Sequence, residues 1–187
     1  MLSFIMGRRA FVRDRILTAA FDLVARRGYE AVSTREIAQA AEVGPASMFK
    51  HFPTKEHLGR ELYALALAPL LKAFATLADG NPSPRQAVQA AVDLLYGFYD
   101  DRPRALALLV FPPHDFLPFE VDRANPASIR CVLQGLTRLD DDGEALLWGA
   151  MTGPLCDRFL RRRDGLMRPL ATTHGRRLTA LLPPESP

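Results

Sequence analysis

Ser47, Lys50 and His51 lie within the seven residues Pro45–His51, a stretch that opens on Gly44–Pro45 and is closed by Pro53. A hydroxyl, an ammonium and an imidazole on so short a segment can donate hydrogen bonds to phosphates or to base edges. They bring no carboxylate for acid–base work and no ligand set for a metal. Small residues at its start, Gly44 and Ala46, let the backbone come close to another surface. Met48 and Phe52 are four apart, the spacing of one helical face, and fit a core instead.

Other residues with chemical potential have weaker settings. His114–Asp115 sits among the prolines of 112–126, where adjacent loop residues rarely face each other, and no motif places a nucleophile nearby. Asp140, Asp141 and Asp142 read as a turn, and Arg161–Arg163 as a solvated helix end complementing the dipole. Two cysteines, Cys131 and Cys156, are too few and too distant for a disulfide framework or a zinc site. No catalytic residue, metal site or cofactor motif emerges, and an enzyme is not expected. The longest uncharged apolar run, Leu62 to Leu71, is about half a membrane span. A cytoplasmic protein without a membrane anchor is expected.

The net charge of +3 is unevenly placed. Residues 1–63 hold ten Lys/Arg against seven Asp/Glu, leaving fourteen of each for residues 64–187. An anionic partner belongs with the first third.

Nearly every segment has helical periodicity. Phe11, Ile16, Leu17, Ala20, Phe21 and Val24 form one apolar stripe over 9–27, stopped by Gly28. Ser33 followed by Glu36 predicts a capping box for a helix reaching about Glu42. Pro45 at a first helical position starts a helix to His51, and Pro53 ends it. Thr54 caps a helix to about Ala78, which Pro69 should kink or split. After the linker 79–84, helices are expected at 84–101, 102–111, 127–138, 143–162 and 166–182, with breaks at 140–143 and 164–165. The fold class is all-α.

Two short helices joined by a tight turn form a helix-turn-helix, whose second helix enters the major groove of double-stranded DNA. Ser47 can then reach a base or phosphate, and Lys50 and His51 the flanking phosphates. The helix starts at Ser33 and Thr54 offer backbone amides as phosphate clamps.

The segment ILTAAFDLVARRGYEAVSTREIAQAAEVGPASMFKHFPTKEHLGREL closely resembles the DNA-binding domain of the TetR/AcrR family of bacterial transcriptional regulators. The likeness is carried by ILTAA, Gly28–Tyr29, STREIAQAA, His51–Phe52 and KEHL, in family order over about fifty residues. It implies an N-terminal three-helix DNA-binding domain, residues 1–53, and a larger helical ligand-binding and dimerisation bundle, residues 54–187. The candidate DNA contacts are Ser33, Thr34 and Arg35; Gly44, Pro45, Ala46 and Ser47; Phe49, Lys50 and His51; and Thr54 and Lys55. The family usually has serine at Gly44, glycine at Ala46 and tyrosine at Phe49. Two hydroxyl donors are thereby lost, so specificity leans on Ser47, Lys50 and DNA shape.

The resemblance further implies a homodimer on a near-palindromic operator, most often acting as a repressor, released by a small-molecule effector. Aromatic residues in the C-terminal part fit either a core or the family's ligand cavity. Candidate effector contacts are Phe98, Tyr99, Phe111 and His114, with Phe116, Cys131, Trp148 and Met151. No charge is placed clearly among them, so a mostly apolar effector is expected. The implied dimer surface lies on the last two helices, at Leu146, Gly149, Gly153, Cys156 and Phe159, and at Leu170, Leu178 and Leu181. Effector binding would act through the helix beginning at Thr54, with Pro69 as a place to flex. The alternative is a DNA-binding regulator whose C-terminal domain responds to a protein partner or to no ligand.

Overall fold

The computed structural model describes residues 2–110, 128–161 and 165–182. These residues are helical, with no strand among them. In chain order the helices are α1 (Leu2–Arg27), α2 (Thr34–Ala40), α3 (Pro45–His51), α4 (Lys55–Asp79) and α5 (Pro84–Asp101). They continue as α6 (Pro103–Val110), α7 (Ile129–Thr137), α8 (Asp141–Leu160) and α9 (Arg168–Thr179).

On α1, Ile16, Leu17, Ala20 and Val24 are buried, and Phe21 packs partly against them. Phe11 departs from the expected stripe: it is 62% exposed, beyond the helices that cover the later turns, with the Arg15 guanidinium 5.8 Å from its ring centre. Gly28 ends α1 in the left-handed region, at φ 82°, which glycine adopts without a Cβ penalty. Ile37, Ala38, Met48 and Phe52 complete the core of α1–α3. Fully burying side chains such as Met48 and Phe52 is worth about 1.5–3 kcal/mol each.

Helix α4 runs unbroken past Pro69. The ring removes the amide that would bond the carbonyl of Leu65. Leu65 and Pro69 lie on the exposed side, where water can take that carbonyl, so the proline costs less than it would in the core. By length and composition α4 could cross a membrane, but its Leu58, Leu62, Leu70 and Phe74 are buried inside the protein. It is the core helix against which α5, α6 and α7 pack.

The expected break at 140–143 is instead a helix start. Asp140 Oδ1 accepts the Gly143 amide at 2.8 Å, and Asp141, Asp142 and Glu144 occupy the first turn of α8, where the helix dipole favours negative charge. Helix α9 lies along α5. Asp100 at the end of α5 accepts the amides of Met167 and Arg168 at 2.7 and 2.9 Å, supplying the cap that α9's own N-cap residue, Met167, lacks. At Gly175 an added Cβ would meet the end of the Gln89 side chain, which would have to swing aside. The predicted loop 112–126 lies outside the described residues.

Candidate nucleic-acid interface and internal cavity

The tight turn between α2 and α3 places Glu42 at φ 53°, an uncommon conformation for a residue with a side chain. Gly44 is the N-cap of α3 in extended geometry, φ −70° and ψ 152°, and Pro45 is the first helical residue. Gly44, Pro45, Ala46, Phe49 and Lys50 are exposed, while Ser47 and His51 are half-buried. Phe49 turns 51% of its surface outward, whereas Met48 and Phe52 face inward. The helix therefore divides as its composition predicts, with an inner apolar side and an outer side of small, hydroxylic and cationic groups.

The start of α2 is less open to an anion than expected at Ser33. Its amide donates to Glu36 Oε2 at 2.8 Å, and the Glu36 amide donates to Ser33 Oγ at 3.2 Å, closing the capping box. The Ser33 amide, Arg27 Nη1 at 2.8 Å and the Ser33 hydroxyl at 2.8 Å all donate to the Glu36 carboxylate and hold it far below its ordinary 4.5, at about 2. The first-turn amides of Thr34 and Arg35 are the ones left to meet a phosphate. Thr54 accepts the His57 amide at 3.0 Å as the cap of α4. Lys55 is held with its ammonium 4.3 Å from the Tyr29 ring centre and 3.4 Å from the Glu30 carbonyl oxygen. A shallow recess between these two helix starts is lined by Ser33, Thr34, Glu36 and Lys55.

A second feature lies within the C-terminal bundle. A cavity of about 160 Å³ is lined by Tyr63, Leu67 and Leu70 of α4, Leu95 of α5, and Leu106 and Leu109 of α6. Ile129 and Arg130 of α7 and Trp148, Thr152 and Cys156 of α8 also line it among the described residues. Of the predicted effector contacts, Trp148 is on this wall. Met151 is fully buried in the core behind it. Phe98 is buried beneath the Arg102 guanidinium, whose carbon is 5.6 Å from the ring centre. Tyr99 is half-buried, and Cys131 is exposed on the outer side of α7; neither lines the cavity. Phe111, His114 and Phe116 lie outside the described residues. The missed lining residues are five leucines and Ile129, which nothing in their spacing distinguishes from the surrounding core, together with Tyr63, Arg130, Thr152 and Cys156, the last expected on the dimer surface instead.

The expectation of an uncharged surround is corrected by Arg130. Its guanidinium pairs with Glu144, which is 4% exposed: Nε lies 3.0 and 2.9 Å from the two carboxylate oxygens, and Nη2 bonds Oε2. Burial pushes the Cys156 thiol up. Behind the cavity wall, Tyr96 is fully buried with its hydroxyl 2.7 Å from His174 Nδ1, and burial raises its pKa to about 12.

On the predicted dimer surface, Leu146 is 73% exposed and Gly149 and Gly153 are also exposed. Leu170 and Leu181 are exposed as well. Leu178 is instead buried in the chain's own core and Cys156 is turned to the cavity, because both helices also have an inner face to fill. The Phe159 side chain lies outside the described residues.

Residues 16–62 match the family profile described as "Bacterial regulatory proteins, tetR family". The HTH-type transcriptional regulator TcmR of Streptomyces glaucescens is 31% identical over 78 residues, which are 42% of this chain and 33% of TcmR. The HTH-type transcriptional repressor KstR of Rhodococcus jostii is 44% identical over 46 residues, 25% of this chain and 22% of KstR. The chain thus aligns with a third or less of the length of these relatives. Among solved structures, the regulator FadR of Bacillus subtilis in complex with stearoyl-CoA superposes with a TM-score of 0.76 at 12% identity, covering 90% of this chain and 98% of FadR. A bacterial regulatory protein of the tetR family from Rhodococcus RHA1 superposes with a TM-score of 0.70 at 18% identity, covering 94% and 98%. At these identities the superpositions establish the fold, and the match over residues 16–62 shows that this part of the chain is similar to bacterial regulatory proteins of the tetR family.

Proposed function

We propose that this chain is an effector-responsive repressor of transcription that binds a near-palindromic operator as a cytoplasmic homodimer. Residues 1–53 form the DNA-binding domain, with α3 as the recognition helix. Residues 54–187 form the effector-binding and dimerisation domain. The observation that carries this reading is the course of α4: it starts at Thr54, beside the recognition helix, and delivers Tyr63, Leu67 and Leu70 to the cavity wall. One continuous helix thus belongs to both sites, which is what coupling between an effector and DNA requires. The exposed apolar and small residues Leu146, Gly149, Gly153, Leu170 and Leu181 support dimerisation through α8 and α9.

The test is binding of the purified protein to a labelled fragment from upstream of its own gene, against a shuffled fragment, over a salt series. Preference for the native fragment that persists at moderate salt supports operator recognition. Equal binding to both that fades steeply with salt would mean phosphate contacts alone, and would sink the reading.

A further inference from the structure

At about 160 Å³, the cavity is close to the roughly 150 Å³ of an apolar protein cavity that takes up benzene. A chain of a dozen methylenes would have to part its walls. Five leucines and Ile129 line it together with two large rings, Tyr63 and Trp148. Arg130 is the charged residue among the lining residues, and Glu144, 4% exposed, already neutralises it. The Arg130 side chain is 42% exposed and already shared with Glu144, so a carboxylate brought to it would be a second anion on one cation, which disfavours the charged form of the newcomer.

Thr152 adds a second restriction. This lining residue's hydroxyl donates to the Trp148 carbonyl at 2.8 Å, so what its oxygen retains for a further partner is acceptor capacity. The wall therefore offers an acceptor to a ligand that brings a donor.

We infer, resting on the effector reading above, that the cavity takes an uncharged, single-ring molecule of the phenol class, whose hydroxyl donates to Thr152 Oγ1 while its ring packs between Tyr63, Trp148 and the leucines. Phenol suits this role at neutral pH, because its hydroxyl, like that of tyrosine, ionises only near about pH 10.

The experiment is calorimetric titration of the full chain with phenol, toluene, benzoate and octanoate, repeated on Thr152→Val. Phenol should bind at least tenfold more tightly than benzoate or octanoate. At ten times its Kd it should raise Tm by about 3–6 °C. Thr152→Val should weaken phenol about fivefold and leave toluene within about twofold, the toluene value also showing that the variant is folded. Tighter binding of benzoate or octanoate than of phenol overturns the assignment of ligand class while leaving an effector site in place. Equal loss of phenol and toluene in the variant overturns the role of Thr152. If none of the four probes binds, both this inference and the effector reading of the cavity fail.

Discussion

Arg15 holds Glu42 at two points: its Nη2 lies 2.8 Å from the carboxylate and 3.3 Å from the backbone carbonyl. The long helix α1 is thereby tied to the one residue of the helix-turn-helix bend that has a positive φ. Glu42 is largely exposed, so the ion pair itself contributes no more than about 1 kcal/mol. Its conformational cost is of similar size. Replacing Glu42 with glycine should relieve the backbone and forfeit the pair, leaving stability within about 0.5 kcal/mol of the parent. Glu42→Val places a β-branched residue at the same φ and should cost about 1–2 kcal/mol in denaturant melts.

Gly44 and Phe49 are positions where hydroxyl donors can be restored. A Cβ at Gly44 meets nothing within 4 Å, and its extended backbone suits a serine N-cap. Gly44→Ser should add a few tenths of a kcal/mol to stability, and Phe49→Tyr should leave stability unchanged. Both should tighten operator binding measured by fluorescence anisotropy. Weaker binding by either would show that α3 does not face the DNA backbone as proposed.

Gly59 is where α4 passes the first domain. A Cβ there would lie 2.7 Å from Tyr29 Cε2, closer than real contacts allow. Gly59→Ala should destabilise by about 1–3 kcal/mol and weaken DNA binding, because ring or helix must shift. Pairing it with Tyr29→Leu should recover part of the stability if the clash is the cause.

The capping box makes a pH prediction. The folded-state pKa of Glu36 is depressed to about 2 from 4.5, so its contribution to stability is fully present above about pH 4.5. It is lost as pH falls from there through about 2. In Glu36→Gln this component disappears, and acid unfolding over that window should be shallower than in the parent. Identical pH profiles would show that the carboxylate is not what secures the start of α2.

Pro69 is a candidate point of flexure in α4. Pro69→Ala returns an amide to the Leu65 carbonyl and should stiffen the helix. Effector-induced release from DNA should then need more effector. Unchanged release would remove Pro69 from the mechanism.

The N-terminal elements were legible in the sequence because their ends are written in local chemistry: Gly28, the Ser33–Glu36 pair, Pro45, and Thr54 after Pro53. Asp140–Gly143 misled because the same residue types make a turn or a helix start, and the helix beyond them decides which. Phe11 misled because periodicity identifies a face of α1 but not how far the neighbouring helices extend along it. The cavity was least legible. A leucine beside a gap and a leucine beside another leucine have the same spacing, so Leu67, Leu70 and Leu106 carried no mark. Arg130 was hidden for a different reason, since its partner Glu144 lies on another helix.

Helix α4 also has a mechanical consequence. From Leu70 on the cavity wall to Thr54 is sixteen residues, or about 24 Å of rigid rod at 1.5 Å per residue. Pivoting such a lever by about 5° at Leu70 would carry Thr54 through about 2 Å, most of the length of a hydrogen bond. Seated guests too small to reshape the bundle would still have the leverage to pull a recognition helix out of register.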